Sequence, residues 1–192
     1  MKKMTMALGA FLTLFIISCD GPEGPPGFDG LNGLDGLDGQ DGIQGQVIEV
    51  ENVNFDFIAA NNLYSTIIAF EDFTNFEVLA QDAVLVYRFD GTVEFNDGGT
   101  ADAWSLIPQS FFLPGGTIQY TAAHTLLDVE ILIDGNFDLT NLDAEFVQDQ
   151  IFRIVILPSD FATQAKIDKS NLGAVLQSLG MAEKDIKHIS VN

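Results

Sequence analysis

Cysteine occurs once in this chain, at Cys19, so no disulfide can form within it and no C-x-x-C redox or cysteine-based zinc pattern can be drawn. The two histidines, His124 and His188, stand 64 residues apart, and neither belongs to an H-E-x-x-H motif. G-x-S-x-G and phosphate-loop patterns are missing as well. Basic residues are few, 8 against 28 acidic ones, and such a surface repels nucleic acid and anionic lipid. No apolar run reaches the roughly 20 residues of a spanning helix. What survives of catalysis is a carboxylate pair of the glycosidase kind, and abundance of acids gives that no specificity. The chain reads as a non-enzyme, with a glycan-active enzyme last among its alternatives.

What is present begins at the N-terminus. Met1-Lys2-Lys3 is followed by the apolar run MTMALGAFLTLFII at 4–17, too short to span a bilayer and suited to a signal-peptide core. The next residues, IISC at 16–19, resemble the lipobox cut by the lipoprotein signal peptidase, with Ile16 where leucine is usual and Ser18 where alanine or glycine is commoner. Acylation would explain a lone thiol in an exported chain, and a diacylglycerol thioether plus an N-acyl chain meets the two-chain requirement for stable anchoring. The expected division is a signal peptide at 1–18, the lipidated Cys19 with a stalk to 46, and a folded domain over 47–192. All acidic residues and six basic ones follow Cys19, which leaves the mature chain at −22. The four lysines of 162–192 make that tail slightly positive against a strongly acidic body, onto which it could dock.

Residues 21–45 read GPEGPPGFDGLNGLDGLDGQDGIQG, with glycine at every third position. That is the G-X-Y pattern of collagen, whose crowded axis admits no side chain, and it predicts an extended stalk. Proline occurs there only at Pro22, Pro25 and Pro26, and the carboxylates of Glu23, Asp29, Asp35, Asp38 and Asp41 face no lysine or arginine. Two forms stay open: a triple helix joining three copies as a homotrimer, or a self-repelling tether.

After Val47 the pattern turns to β. LDVEILID at 127–134 alternates as a half-buried strand does, whereas AVLVYRF at 83–89 and QIFRIVIL at 150–157 are nearly continuous apolar runs, expected at the centre of a sheet. VNFDF (53–57), LYSTIIAF (63–70), TVEF (92–95), SLIPQSFFL (105–113) and TIQYT (117–121) complete eight strands, with Pro108 at an edge or bulge. Asp90-Gly91 and Pro114-Gly115-Gly116 are expected hairpin turns. NLGAVLQSLG at 171–180 predicts a helix capped by Ser170 and ended by Gly180, and IKHISV at 186–191 a last strand. The expected fold is mainly β, an antiparallel sandwich with one C-terminal helix.

Together, IISC, the glycine repeat and the stretches WSLIPQSFFL, DGNFDL and FRIVILP resemble a group of Bacteroidota lipoproteins described as collagen-like, which join a lipobox cysteine, a G-X-Y run and a β-rich C-terminal domain. The resemblance implies a location in the cell envelope, and with the lipobox-like cysteine the expected place is the outer membrane, lipid-anchored. Acidic residues close behind the lipidated cysteine favour transfer to the cell surface in that phylum, a pattern that Asp20 and Glu23 match with Gly21 and Pro22 interposed.

Two stretches are candidate sites. DGNFDLTNLDAE at 134–145 offers oxygens from Asp134, Asn136, Asp138 and Thr140 at positions 1, 3, 5 and 7, with Glu145 at position 12, the ligand spacing of a calcium loop. Leu139 replaces the glycine of position 6 and a strand precedes the loop, so the competing reading is a polar hairpin turned by Asp134-Gly135. Trp104, the one tryptophan, could stack on a sugar or anchor a protein partner, or pack at the rim of the core. The expected function is display of a domain for adhesion or for binding a glycan or protein; a structural envelope role is the alternative.

Overall fold

The computed structural model describes residues 45–74, 76–159 and 167–191. The expected signal peptide, Cys19 and the repeat before Gly45 lie outside these residues. The strands are β1 (Gln46–Val53), β2 (Asp56–Ile58), β3 (Leu63–Ala69), β4 (Ala83–Glu94), β5 (Thr100–Leu106), β6 (Gln109–Leu113), β7 (Gly116–His124), β8 (Asp128–Gly135), β9 (Gln150–Leu157) and β10 (Lys187–Ser190). The α-helices α1 (Ala144–Val147) and α2 (Leu172–Ser178) accompany them among the described residues. The protein is mainly β, with a first sheet ordered β10-β1-β9-β4-β5 and a second ordered β2-β3-β8-β7-β6. Neighbours are antiparallel except β1 and β10, which run in parallel.

The apolar pattern explains the arrangement. In β9, Phe152, Ile154 and Ile156 face a cluster that also holds Ile118, Tyr120, Ile131 and Ile133 of the second sheet, so the two sheets share one core. Val155 and Leu157 point the other way, into a second cluster with Val47, Tyr87 and the α2 residues Leu172, Val175 and Leu176. A strand covered on both faces has to be apolar at successive positions, and β9 sits third of five. Each side chain so buried contributes about 1.5–3 kcal/mol. Rings reinforce the inner core: Tyr120 meets Phe55 and Phe111 edge-on at 6.1 and 5.8 Å between centroids.

Several expected boundaries move, for identifiable reasons. Asp90-Gly91 does not turn the chain; β4 runs on to Glu94 through a bulge between Phe89 and Gly91, and the reversal falls later, where the Phe95 N–H bonds Gly99 O at 2.7 Å. SLIPQSFFL is two strands, because the chain leaves the edge of the first sheet after Leu106 and joins the edge of the second at Gln109, across a cis Ile107-Pro108 bond. VNFDF divides in the same way, with Val53 ending β1 and Asp56 opening β2. Leu127, expected to face inward, precedes β8 and is 75% exposed.

Pro114-Gly115 does join β6 to β7. Gly116 follows at φ +150, with space for a Cβ closed by Asn136 Oδ1 at 2.2 Å, so a side chain there is excluded twice over. The helix forms with Asn171 rather than Ser170 as its cap: Asn171 Oδ1 accepts the Ala174 N–H at 3.0 Å, while Ser170 bonds Asp168.

Strand β1 has no counterpart among the expected strands. Ile48 and Val50 enter the inner core and Val47 the outer cluster, yet Glu49 is also buried, so its sequence lacks clean alternation.

Candidate functional site

Charged residues gather on the outer face of the first sheet. Glu49 lies directly across from Arg153 on β9 and from His188 on β10. Arg153 Nε donates to Glu49 Oε2 at 2.8 Å, its Nη1 donates to Glu183 Oε1 at 3.0 Å, and its guanidinium lies 4.0 Å from the centre of the Trp104 ring. His188 Nδ1 approaches Glu49 Oε1 at 3.1 Å and Glu51 Oε1 at 3.6 Å, an ion-pair row when the imidazole is protonated. Of these contacts the His188 pair joins β10 to β1, while Glu183, an acid of the C-terminal segment, meets Arg153, a base of the body, and Lys187 Nζ donates to the Phe73 carbonyl at 3.1 Å. Glu49, Glu51 and His188 also form the one group among the described residues whose acidic or imidazole ligand atoms all lie within 4.8 Å of one another. They are the residues that could hold a divalent ion, although Arg153 already places a positive charge on Glu49.

Trp104 stands on β5 at the rim of the outer cluster, half-buried, with its ring 5.2 Å from that of Phe89. A depression of about 520 Å³ beside it is lined by Asp102, Asp168, Asn171 and Glu183. Each of these polar groups is engaged within the protein: Asp102 by Thr92, Asp168 by Ser170, Asn171 by Ala174 and Glu183 by Arg153. The Asp168 carboxyl is held below its usual range by the Ser170 hydroxyl and N–H.

The 134–145 stretch is not one closed loop. Asp134 and Gly135 are the last residues of β8, paired with Gln119 and Ile118, and do not turn the chain. Asn136 Oδ1 accepts the Thr117 N–H at 2.8 Å, and Asp138 Oδ1 accepts both the Thr140 N–H at 2.9 Å and its hydroxyl at 2.6 Å. Those bonds keep the Asp138 carboxyl below the ordinary range. Leu139, at the sixth position, is fully buried in the inner core. Glu145 lies in the first turn of α1, where its neighbours Phe146 and Val147 are buried. Asp134, Asp138 and Glu145 thus serve three different local structures.

The outer face of the second sheet is different in character. Ser110, Gln119 and Asp134 lie abreast on β6, β7 and β8, and Phe112 shares their face opposite Thr117. Phe112 is 88% exposed. A groove of about 640 Å³ opens on this face, lined among others by Asn61, Thr117, Gln119, Asp134 and Asn136. Gln119 Nε2 donates to Ser110 Oγ at 3.0 Å, and Asn62, also on the rim, is spent on the backbone at Phe137 and Leu139. The Asp134 carboxylate and the Asn61 side-chain amide make no hydrogen bond to any described residue. The five strands of this sheet carry no lysine or arginine.

Sequence reasoning missed Arg153, Glu49, Asn61, Gln119 and Phe112 as site residues. A signal existed for two of them, because a charge inside QIFRIVIL or VIEVE must be paired if the strand is central. Comparison with protein-family models, with curated proteins and with solved structures returns no match to this chain.

Proposed function

We propose that this chain is a cell-envelope lipoprotein, anchored in the outer membrane through Cys19, that presents a β-sandwich at the cell surface for adhesion or ligand binding. The observation that carries the reading is the junction. Gly45, the last glycine of the repeat, is followed at once by Gln46, the first residue of β1. A Cβ on Gly45 would stand 2.4 Å from Leu179 Cδ2 and 3.1 Å from Ile156 O, so this glycine belongs to the packed domain as well as to the repeat. On this reading the repeat before it is the spacer between anchor and head.

A binding role is favoured over a purely structural one by the second sheet, whose outer face leaves polar groups unpartnered beside an exposed aromatic ring. Palmitate labelling of the wild type and of Cys19→Ala tests the anchor, with label expected only in the former. Protease treatment of intact cells should then remove the head domain. Equal labelling of both chains refutes lipidation, and protection of the head in intact cells refutes surface display.

A further inference from the structure

We propose that the outer face of the second sheet binds an uncharged glycan, with one sugar ring lying on Phe112 and the neighbouring unit in the groove walled by Asn61, Thr117, Gln119, Asp134 and Asn136. The inference rests on the display reading and names the ligand class that the displayed face would take.

Three properties of the face select this chemistry. First, its free polar groups are of mixed kind. Asp134 only accepts when ionised; Asn61 offers both amide functions; Asn136 keeps its NH₂ free because its oxygen holds the Thr117 N–H; and Gln119 keeps its oxygen free because its NH₂ holds Ser110. A sugar hydroxyl donates and accepts at once, and needs such mixed partners. Backbone pairing across β6, β7 and β8 spaces these groups and holds them in place before a ligand arrives.

Second, Phe112 supplies a flat apolar surface that the fold does not use. It stands opposite Thr117, whose 2.8 Å backbone bond to Asn136 Oδ1 forms one wall of the groove. A pyranose presents an apolar C–H face and a polar hydroxyl rim, which corresponds to an exposed ring beside a row of amides. Third, charge excludes the main competitors. With no lysine or arginine on any strand of this sheet and a carboxylate in the groove, phosphorylated, sulfated or uronic ligands would meet a repelling charge and no cation to offset it. The groove volume, about 640 Å³, falls within the usual range for small-ligand sites.

The full chain, purified in detergent, should be titrated with hexasaccharides of glucose, mannose, galactose, xylose and N-acetylglucosamine, and with polygalacturonate as the anionic comparison. At least one neutral hexasaccharide should bind. Phe112→Ala should weaken it by about tenfold or more, the scale of losing one aromatic contact. Asp134→Ala should weaken it comparably, and both variants should keep the wild-type melting temperature because both side chains are exposed. Leu127→Ser, at a distant exposed position, should bind as the wild type does. The proposal is overturned if no neutral hexasaccharide binds, if binding survives both groove substitutions, if polygalacturonate binds preferentially, or if Phe112 proves to be needed for a protein ligand instead. Failure of binding in a chain that still labels with palmitate and is still cleaved on intact cells would remove the glycan assignment and leave surface display standing.

Discussion

Replacing Arg153 by methionine tests the charge row on the first sheet most directly. The guanidinium side chain is 5% exposed and the Glu49 carboxylate 10%, and they meet at 2.8 Å. Removing the arginine leaves Glu49 as a buried carboxylate whose remaining partner is a half-exposed imidazole. Breaking a buried pair in this way costs about 3–5 kcal/mol. The second pair, to Glu183 at 2.7 Å, adds little because Glu183 is 68% exposed and screened by solvent. For a domain of this size each kcal/mol lowers the melting temperature by about 2–4 °C, so Arg153→Met should melt roughly 6–20 °C below the wild type. The double variant Arg153→Met/Glu49→Leu should recover most of that loss, because apolar residues of similar volume can replace a buried pair without penalty. Urea and thermal melts followed by the fluorescence of Trp104, the single tryptophan and the ring against which Arg153 packs, report stability and local environment together. A single variant that loses less than about 1 kcal/mol, or a double variant no better than the single, would refute the assignment of Arg153 as compensation for a buried charge.

Alkaline titration should expose two buried phenols. Burial, reinforced by the Asp168 charge, pushes Tyr87 up to about 12, and burial, partly offset by Arg88, pushes Tyr120 up to about 12 as well, from the ordinary 10.0. Both are neutral in folded and unfolded chains well below pH 10, so the stability tied to them is lost as the pH rises through 10 towards about 12, and Tyr87→Phe or Tyr120→Phe should flatten the decline. A decline unchanged in both variants would remove the assignment. Millimolar calcium should shift the melting temperature by less than about 1 °C, since Asn136 Oδ1 is taken by the Thr117 N–H, Asp138 Oδ1 by Thr140, and Asp134 is held in β8. A larger rise, abolished by Glu145→Gln, would restore the calcium loop. Light scattering of the soluble chain from residue 20 should give a monomer at low and high salt, with Gly33→Leu leaving the mass unchanged, as expected of a self-repelling tether. A trimer that the substitution disrupts would make the repeat a triple helix.

The sequence alone determined the class of structure and most of its strands, because each depends on periodicity within a few residues. QIFRIVIL reads as a central strand from its unbroken apolar run, LDVEILID as a half-buried one from its alternation, and NLGAVLQSLG as a helix from the spacing of Leu172, Val175 and Leu176. The repeat and lipobox-like residues are likewise local patterns, legible without any fold.

Only the tertiary structure decided where chains of contact cross the molecule. Glu49 is tolerable in a central strand because Arg153, 104 residues away, neutralises it, and no local pattern announces that pairing. The strand boundaries at Val53 and Leu106 are set by passage from one sheet to the other, which depends on which edges are free rather than on residue preference. The 134–145 stretch has the spacing of a calcium loop, but spacing gives ligands a common centre only if the backbone curls around it. Here β8 pairing holds Asp134 extended and Leu139 is buried in the inner core, so the stretch does not curl as one loop. The groove of Asn61, Ser110, Gln119 and Asp134, with Phe112 beside it, draws on the β2–β3 turn and on β6, β7 and β8, brought to one face by strand register, a relation that exists in space and nowhere along the chain.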